Sequence, residues 1–172
     1  SQSFRELPAA IRALAREPRL LVLTKANSRA TVHRPGYLDY VGVKKFDGAG
    51  RVIGERRFVG LYTSAAYHAD PGDIPLLRRK VARILDRAGF PEASHGYKNL
   101  RALLHAYPRD ELFQVDEAAL YEIAMGVLRL GDRRRTRLFL RRDLYGRFFS
   151  CLIYLPRENF NTDVRRRIQE IL

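Results

Sequence analysis

The side chains that could do chemistry are few and lie far apart in this sequence. The four histidines stand singly: His33, His68, His95 and His105. His95 and His105 are ten positions apart on one predicted helix, which is too far to share a metal ion, and no cysteine pair accompanies them. The best polar group is His33 with Tyr37 and Asp39, although a histidine in such a turn more commonly bonds to the backbone. The sequence therefore predicts no metal site.

The only cluster of glycines lies at residues 48–54, GAGRVIG. It misses the pattern G-x-G-x-x-G by one residue, and it lies between two predicted strands. A dinucleotide fingerprint instead opens the helix whose N-terminus holds the pyrophosphate. The sequence also lacks a P-loop, a G-x-S-x-G elbow and an H-E-x-x-H helix. No segment combines a nucleophile, a base and an oxyanion donor, so we expect neither a catalytic residue nor a bound cofactor in this chain.

The net charge of +13 is the unusual bulk property, and the excess is almost wholly arginine, with five lysines and twenty-seven arginines. Such a field favours polyanions. The segment Arg147-Phe148-Phe149 also resembles an aromatic stacking platform, which keeps a basic RNA-binding module open as an alternative. The arginines are, however, scattered over predicted helices and strands alike, which favours solvated surfaces. We therefore expect that the chain does not bind nucleic acid.

The single cysteine, Cys151, excludes an internal disulfide and is typical of a reducing cytoplasm. It lies in an apolar strand pattern, so a buried thiol is expected rather than a nucleophile. No apolar run approaches the ~20 residues that a membrane span requires. The sequence therefore predicts a cytoplasmic protein that does not enter the membrane.

The N-terminal half predicts a helix followed by an antiparallel sheet. A capping box at residues 3–6 and helical spacing of apolar side chains place the helix within residues 1–19. Short strands are expected at residues 20–25 and 30–33. Two long strands, 37–46 and 51–63, are rich in Tyr, Val, Phe and Ile and flank the turn Asp47-Gly48-Ala49-Gly50, whose residues tolerate positive φ.

The middle of the chain predicts helices with recognisable caps. Asp73 is expected to cap a helix that begins near Pro75 and ends at Gly89. Ser94 and Asp116 are expected to cap two more helices, and Asp110 is placed at a helix start or a surface turn.

The last 37 residues, 136–172, predict a second hairpin and a final helix. Strands at 136–142 and 147–155 flank the turn 143–146, and the helix follows Asn161 with one apolar face. A hairpin and one helix are too little for a stable domain. We therefore expect the native polypeptide to continue and this segment to open a second module.

Four segments resemble one known family: YLDYVGVKKFD, GERRFVGLYTSAAY, YPRDELFQ and GRFFSCLIYLPRENFNTD. In this order and with this spacing they are similar to the N-terminal regulatory region of the large bacterial NAD-specific glutamate dehydrogenases. The resemblance covers the chain from about residue 21 onward and implies an α+β fold, with a PAS-like antiparallel sheet, a long hairpin and trailing helices at 20–131. The start of a truncated ACT-like ββα module follows at 132–172. The N-terminal helix predicted at 1–19 lies before the segment that carries the resemblance.

The resemblance also implies a function. The parent enzyme would oxidatively deaminate L-glutamate to 2-oxoglutarate and ammonia with NAD, as a cytoplasmic homo-oligomer. Its catalytic and nicotinamide-binding residues would lie in a later domain, so that this chain would be non-catalytic. The implied partners are the catalytic domain of the same polypeptide, identical subunits and an amino-acid effector.

Two kinds of surface remain as candidates. Arg141, Arg142 and Arg147, near the second hairpin, are expected to be interface contacts. An autonomous small-molecule enzyme would instead need a pocket around His33, Tyr37 and Asp39. The polar group and the arginines are therefore the residues whose surroundings matter most.

Overall fold

The computed structural model describes residues 9–32, 35–131 and 135–172. They form two compact units: one contains the chain up to Ala69 together with the turn Asp143–Arg147, and the other contains Asp70–Arg142 and Phe148–Leu172. The predicted α+β class is confirmed. The domain boundaries predicted at residues 19/20 and 131/132 stay predictions.

The helices and strands follow in this order. The first unit contains α1 (Ala9–Arg16), β1 (Leu21–Ala30), β2 (Gly36–Phe46), β3 (Val52–Gly60) and α2 (Ser64–His68). The second contains α3 (Pro75–Ala88), α4 (His95–Ala106), α5 (Arg109–Gln114), α6 (Glu117–Leu128), β4 (Arg137–Arg142), β5 (Phe149–Tyr154) and α7 (Thr162–Ile171). Strands β1, β2 and β3 form an antiparallel sheet in that order, and β4 pairs with β5.

The long hairpin is confirmed, and its turn forms for the predicted reason. The carboxylate of Asp47 accepts hydrogen bonds from the backbone N–H groups of Ala49 at 3.0 Å and Arg51 at 2.8 Å. Gly50 has φ +76°, which a side chain would disfavour. Beyond the turn, β2 and β3 pair from Lys45↔Gly54 to Asp39↔Gly60 without interruption.

The two short strands predicted at 20–25 and 30–33 are wrong, because the chain forms one strand, β1, across most of this range. The register with β2 shifts between Lys25 and Arg29. The turn-forming residues Asn27 and Ser28 therefore produce an irregularity within the strand rather than a break, since β2 continues to offer backbone partners as far as Gly36. The end of the second predicted strand, His33, lies outside the described residues.

Among the described residues the helix caps follow the prediction except at α3, whereas the capping box predicted at residues 3–6 lies outside the described residues. Side chains of Ser94, Asp116 and Asn161 accept hydrogen bonds from the backbones of Tyr97, Ala119 and Val164, and Gly89 ends α3 with φ +64°. The predicted cap at Asp73 is wrong: Ile74 occupies the cap position of α3 without a side-chain bond.

The residue that caps in this region is Asp70. Its carboxylate accepts the N–H of Gly72 at the start of a single 3₁₀ turn, Pro71–Asp73. This turn precedes α3 and displaces Asp73 from the cap position. Asp110 lies in the first turn of α5, with Pro108 at its cap position.

The second unit has an apolar helical core. Fully buried leucines and isoleucine come from every long helix of the unit except α7: Leu77 and Ile84 from α3, Leu100 and Leu104 from α4, and Leu120 from α6. Burying each side chain of this size stabilises the folded state by roughly 1.5–3 kcal/mol. No helix in the described ranges is long and apolar enough to cross a membrane.

Lys80 of α3 closes the C-terminal end of α5. Its Nζ donates hydrogen bonds to the carbonyl oxygens of Leu112, Phe113 and Val115 at 2.7, 3.2 and 2.6 Å. The last carbonyl oxygens of a helix find no N–H partner within the helix, so they need hydrogen-bond donors from outside it. One ammonium group therefore supplies donors to three of them.

Gly126 of α6 provides the space for an aromatic ring of the second hairpin. A Cβ built on Gly126 would lie 2.8 Å from Cε1 of Phe139 on β4. Phe139 in turn makes an edge contact with Tyr154 of β5, with the ring centroids 5.9 Å apart. A side chain at position 126 would therefore fit only if the ring of Phe139 moved away.

We expect Gly126→Ala to destabilise the chain by about 1–3 kcal/mol, because the added methyl group displaces Phe139. Replacing glycine by alanine in a helix otherwise stabilises the folded state by about 1 kcal/mol, so a loss of stability would identify the contact with Phe139. Urea unfolding measures the change in the free energy of unfolding. Gly60→Ala, where a Cβ has open space, is the control, and Gly126→Ala with Phe139→Leu should recover stability. A stabilised Gly126→Ala variant would contradict the close contact.

We expect Lys80 to make stability rise with pH. Burial lowers the pKa of Lys80 from 10.5 to about 8, although the carboxylates of Glu117 and Asp116 oppose this shift. Between these two values the unfolded chain holds a proton that the folded chain has lost, so the free energy of unfolding increases with pH. The contribution is on the order of 2 kcal/mol.

The measurement is urea unfolding at about pH 7 and about pH 9.5, on either side of the lowered pKa. Lys80→Met should lose the rise between the two conditions. Lys98→Met, at an exposed position on α4, should keep the wild-type dependence. An identical pH dependence in wild type and Lys80→Met would contradict the lowered pKa.

Candidate functional site

The predicted polar group at the start of β2 is only partly brought together. His33 lies outside the described residues. Tyr37 and Asp39 are two positions apart on one strand and so share a face of the sheet. Tyr37 is 48% exposed, with the guanidinium carbon of Arg29 4.8 Å from its ring centroid. Asp39 is buried. The proposed role of the group as a polar site stays a prediction.

Both oxygens of Asp39 have partners within the first unit. The Nζ of Lys25 lies 2.6 Å from Oδ1, and Oδ2 accepts the backbone N–H of Tyr62 at 2.9 Å. One carboxylate therefore links β1, β2 and the segment that follows β3. Because its acceptor atoms are already engaged, Asp39 fixes one end of the sheet, where it links all three strands.

A second buried group lies on the opposite face of the sheet, where Lys44 pairs with Glu55 across the hairpin. Nζ of Lys44 is 2.5 Å from Oε2 of Glu55 and also donates to the carbonyl of Ala15 at 2.9 Å. The hydroxyl of Tyr40 donates to Oε1 of the same glutamate. Gly42 leaves room for this arrangement, since a Cβ there would lie 2.9 Å from Cδ of Glu55.

The electrostatics of this group keep it charge-balanced. Burial and the hydrogen bond to Glu55 raise the pKa of Tyr40 above its ordinary value. Burial alone would raise the pKa of Glu55, but hydrogen bonds from Lys44 and Tyr40 and the positive charges of Lys44 and Arg57 bring it below its ordinary value. At neutral pH Glu55 is therefore an ionised carboxylate and Tyr40 a neutral phenol.

The turn between β4 and β5 is organised by Asp143, which is buried in the first unit. Its Oδ1 accepts the hydroxyl of Thr24 at 2.7 Å, and its Oδ2 accepts the backbone N–H groups of Tyr145 and Arg147, each at 3.2 Å. Burial would raise the pKa of Asp143, but these bonds and the charge of Arg147 lower it. Asp143 is therefore an ionised acceptor.

Arg147, one of the three arginines predicted at an interface, makes its contacts inside the first unit. Its guanidinium contacts Oδ2 of Asp143 at 3.2 Å, Oδ1 of Asn27 at 2.9 Å and the carbonyl of Lys25 at 2.5 Å. Its side chain is 28% exposed. The guanidinium thus attaches the turn to β1, and any contact with another subunit would use its remaining exposed surface.

Arg141 and Arg142 belong to the second unit. Arg141 forms a two-pronged ion pair with Glu111 of α5, in which Nη2 lies 2.9 Å from Oε2 and Nε donates to Oε1. Both side chains are largely buried. Arg142 is exposed and pairs with Phe149 across the hairpin. Among the predicted interface arginines, Arg142 is thus the exposed one, and the interface role stays a prediction.

Sequence reasoning missed the residues that hold the polar groups together. Lys44 and Glu55 could have been found, because the turn at residues 47–50 fixes which residues lie opposite each other in the hairpin. The partners Thr24 and Asp143 are 119 positions apart, and no local pattern predicts such a pair. In the described ranges, no group of three or more His, Cys, Asp or Glu could hold a metal ion.

Comparison with known families matches two segments of the chain. Residues 74–133, which contain α3 to α6, match the family model described as glutamate dehydrogenase, helical motif 1. Residues 137–172, which contain β4, β5 and α7, match the one described as glutamate dehydrogenase, ACT2 domain. The predicted ACT-like character of the C-terminal segment is confirmed, whereas the PAS-like character of the preceding segment stays a prediction.

Curated relatives match nearly the whole chain. The NAD-specific glutamate dehydrogenase of Halomonas elongata is 46% identical over 155 residues, which are 90% of this chain. The enzyme of that name from Pseudomonas aeruginosa is 46% identical over 160 residues, and that from Mycobacterium tuberculosis is 36% identical over 160 residues. The chain spans about a tenth of the length of these relatives.

The order of the matched segments agrees with the family predicted from the sequence. The helical motif precedes the ACT2 domain, as α3 to α6 precede the second hairpin. The chain therefore belongs to the NAD-specific glutamate dehydrogenase family and corresponds to a part of its N-terminal region.

Proposed function

We propose that this chain is a non-catalytic regulatory and oligomerisation part of an NAD-dependent glutamate dehydrogenase. The observation that carries the proposal is the match of residues 137–172 to the ACT2 domain, in a chain that spans about a tenth of its relatives. The parent enzyme would convert L-glutamate, NAD and water to 2-oxoglutarate, ammonia and NADH in the cytoplasm. NAD would bind in another part of that enzyme.

The buried charges of the chain support a structural role for its polar residues. Five charged residues with buried side chains each contact a group of the same unit, and each contact links different elements. They are Asp39, Lys44, Glu55, Glu111 and Asp143. Such pairs hold strands and helices in one arrangement. A regulatory part needs this rigidity, because each unit must keep its own shape while its contacts with neighbours differ between states of the enzyme.

Regulation requires that a ligand or a neighbouring subunit bind two states of the enzyme with different affinity. We infer that the partners are the catalytic domain of the same polypeptide and identical subunits, with an amino acid as the effector. The second hairpin supports a contact surface, since Leu138, Leu140 and Phe149 are 47%, 59% and 63% exposed. Leu138, Leu140 and Arg142 occupy every second position of β4, and Phe149 of β5 lies opposite Arg142, so the four side chains share one face of the hairpin.

We expect a thermal-shift experiment on the full chain to separate regulation from RNA binding. Ligands that bind the folded state raise the melting temperature. One amino acid among the twenty should raise it to the same extent at low and high salt, whereas single-stranded RNA should not. A rise with RNA alone that disappears at high salt would instead support a basic RNA-binding module.

We expect Arg142→Glu in the full-length parent enzyme to weaken subunit association by about tenfold, or ~1.4 kcal/mol. Reversing an exposed interfacial charge places like charges against each other. Sedimentation velocity measures the association, and initial rates on the intact oligomer measure the chemistry. Arg78→Glu, an equal change of charge at an exposed position on α3, is the control.

The turnover number of the Arg142→Glu oligomer should equal that of the wild type, since the proposal places no reacting group in this chain. Loss of turnover in a fully assembled Arg142→Glu enzyme would contradict the non-catalytic role. Unchanged association in both variants would remove Arg142 from the interface.

A further inference from the structure

One face of the three-stranded sheet is covered within the first unit, and the other is not. Val22, Thr24 and Lys44 are buried on the covered face, where Lys44 meets Ala15 of α1 and Thr24 meets Asp143. Neighbouring residues of a strand point to opposite faces, and those on the opposite side are half-buried or exposed. We call this side the open face, and its central side chains are Leu21, Leu23, Val41, Val43, Arg56 and Phe58.

The centre of the open face is apolar on all three strands. Leu23, Val41 and Phe58 lie side by side in the register of the sheet, and Leu21 and Val43 form the next pair along it. Phe58 is 56% exposed. A sheet buries its apolar face against a second layer of structure, and monomeric proteins rarely leave a large apolar patch uncovered. The open face therefore has the composition of a contact surface.

The exposed charges beside this apolar centre are basic. Lys45 and Arg56 are exposed on the open face, and neither forms a hydrogen bond or an ion pair with any other described residue. The carboxylate of Asp39 is buried and has both oxygens engaged, and that of Asp47 in the adjoining turn pairs with Arg51. Two positive charges of the open face are thus left without a counter-charge.

The width and the charge of the open face indicate what kind of partner fits it. Three strands are about 10 Å wide between the outer strand axes, close to the diameter of one α-helix, roughly 10–12 Å. Two copies of the chain face to face would bring their basic side chains together, which opposes association. A single-stranded nucleic acid needs free rings on which successive bases stack, but the ring of Tyr37 is already covered by Arg29.

We propose that the open face binds an amphipathic helix from another part of the parent enzyme, with aspartate or glutamate along one flank of its apolar stripe. The stripe lies across Leu23, Val41 and Phe58, and the carboxylates pair with Lys45 and Arg56. The net charge of +13 adds a long-range attraction for an acidic segment. This inference rests on the proposed function, which supplies the rest of the enzyme as the partner, and it names the surface that meets that partner.

The first experiment places the photo-reactive amino acid p-benzoylphenylalanine at Phe58 or at Val59 in the full-length parent enzyme. These neighbours are 56% and 55% exposed and point to opposite faces of the sheet, so Val59 is the matched control. The probe at Phe58 should couple to a peptide of the same enzyme that has apolar residues at helical spacing and carboxylates beside them. Mass spectrometry of the digested enzyme identifies the peptide.

Three results of this experiment would overturn the proposal. The probe at Phe58 could couple to no peptide, to a peptide without that pattern, or to the same peptide as the probe at Val59. Coupling of Phe58 to RNA in place of a peptide would assign the open face to nucleic acid and would overturn the proposal as well.

The second experiment tests the charge of the partner with a water-soluble carbodiimide. The reagent joins an amine to a carboxylate in contact with it, and takes up the released water to become a urea. Lys45 should form an amide with an aspartate or glutamate of the peptide captured at Phe58. Lys98, exposed on α4, should not couple to that peptide. A captured peptide that joins Lys98 as readily as Lys45, or neither lysine, would contradict the charge pairing.

The third experiment measures how strongly Arg56 contributes to binding. Arg56→Glu should lower the coupling yield of the probe at Phe58 by roughly two- to fivefold, the effect expected for an exposed ion pair. Arg78→Glu, an equal change of charge at an exposed position on α3, is the control. Circular dichroism checks that both variants are folded. An unchanged yield in Arg56→Glu would remove Arg56 from the contact, and an equal loss in both variants would leave no local charge pairing.

The results also separate this inference from the proposed function. An assembled enzyme of normal turnover in which Phe58 captures no peptide would overturn the docking of a helix and leave the regulatory function intact. Loss of turnover in assembled Arg142→Glu enzyme would contradict the proposed function whatever peptide Phe58 captures.

Discussion

The buried carboxylate of Asp143 is the interaction on which the arrangement of the first unit depends. It accepts hydrogen bonds from Thr24 of β1 and from the backbone of its own turn, and Arg147 extends the contact along β1. A buried carboxylate without donors would be strongly destabilising, so the turn can occupy only the position in which these donors meet it. A residue near the C-terminus thereby fixes the surroundings of a strand near the N-terminus.

The same requirement acts on the other buried charges. Removing one member of a buried ion pair typically destabilises a protein by about 3–5 kcal/mol, whereas the intact pair adds little stability compared with apolar side chains. The pairs Lys44–Glu55 and Arg141–Glu111 therefore act mainly by excluding alternatives. A slip of one residue between β2 and β3 would bring Lys45 opposite Glu55 and leave Lys44 buried without its carboxylate.

Local features of the fold could be predicted from the sequence because their causes are local. The turn after β2, the caps Ser94, Asp116 and Asn161, and the end of α3 at Gly89 each depend on residues within a few positions. The polar groups depend on residues that are distant in sequence, such as Glu111 and Arg141 or Thr24 and Asp143. No periodicity or motif identifies such partners, because many arginines could have paired with each carboxylate.

The continuous strand β1 and the cap of α3 show how the surroundings override a local signal. Asn27 and Ser28 favour a turn, yet the neighbouring strand keeps the chain extended on both sides of the irregularity. Asp73 has the right residue type for a cap, but the 3₁₀ turn begun by Asp70 leaves Ile74 at that position. In the first case a break in the strand was expected and an irregularity formed, and in the second a capping aspartate was expected at residue 73 and the capping one is Asp70.

The arginines that produce the net charge of +13 do not form one uniform basic surface. Arg141 and Arg147 are used inside the two units, and Arg87 lies over the ring of Tyr121 at 3.9 Å. The exposed basic side chains of α7, Arg165 to Arg167, are accompanied by an apolar residue, Ile171, that is 83% exposed. Surfaces that combine arginine with exposed apolar side chains are typical of contacts between proteins.

Polar residues in the interior and apolar residues at the surface therefore have one common explanation. The buried charges hold each unit in one shape, and apolar side chains of β3, of the second hairpin and of α7 are exposed, as the proposed contacts with other parts of the enzyme would require. Monomeric proteins rarely leave large apolar patches uncovered. A chain that spans about a tenth of the length of its relatives is expected to have such patches under the proposed function, in which neighbouring parts of the enzyme would complete its surface.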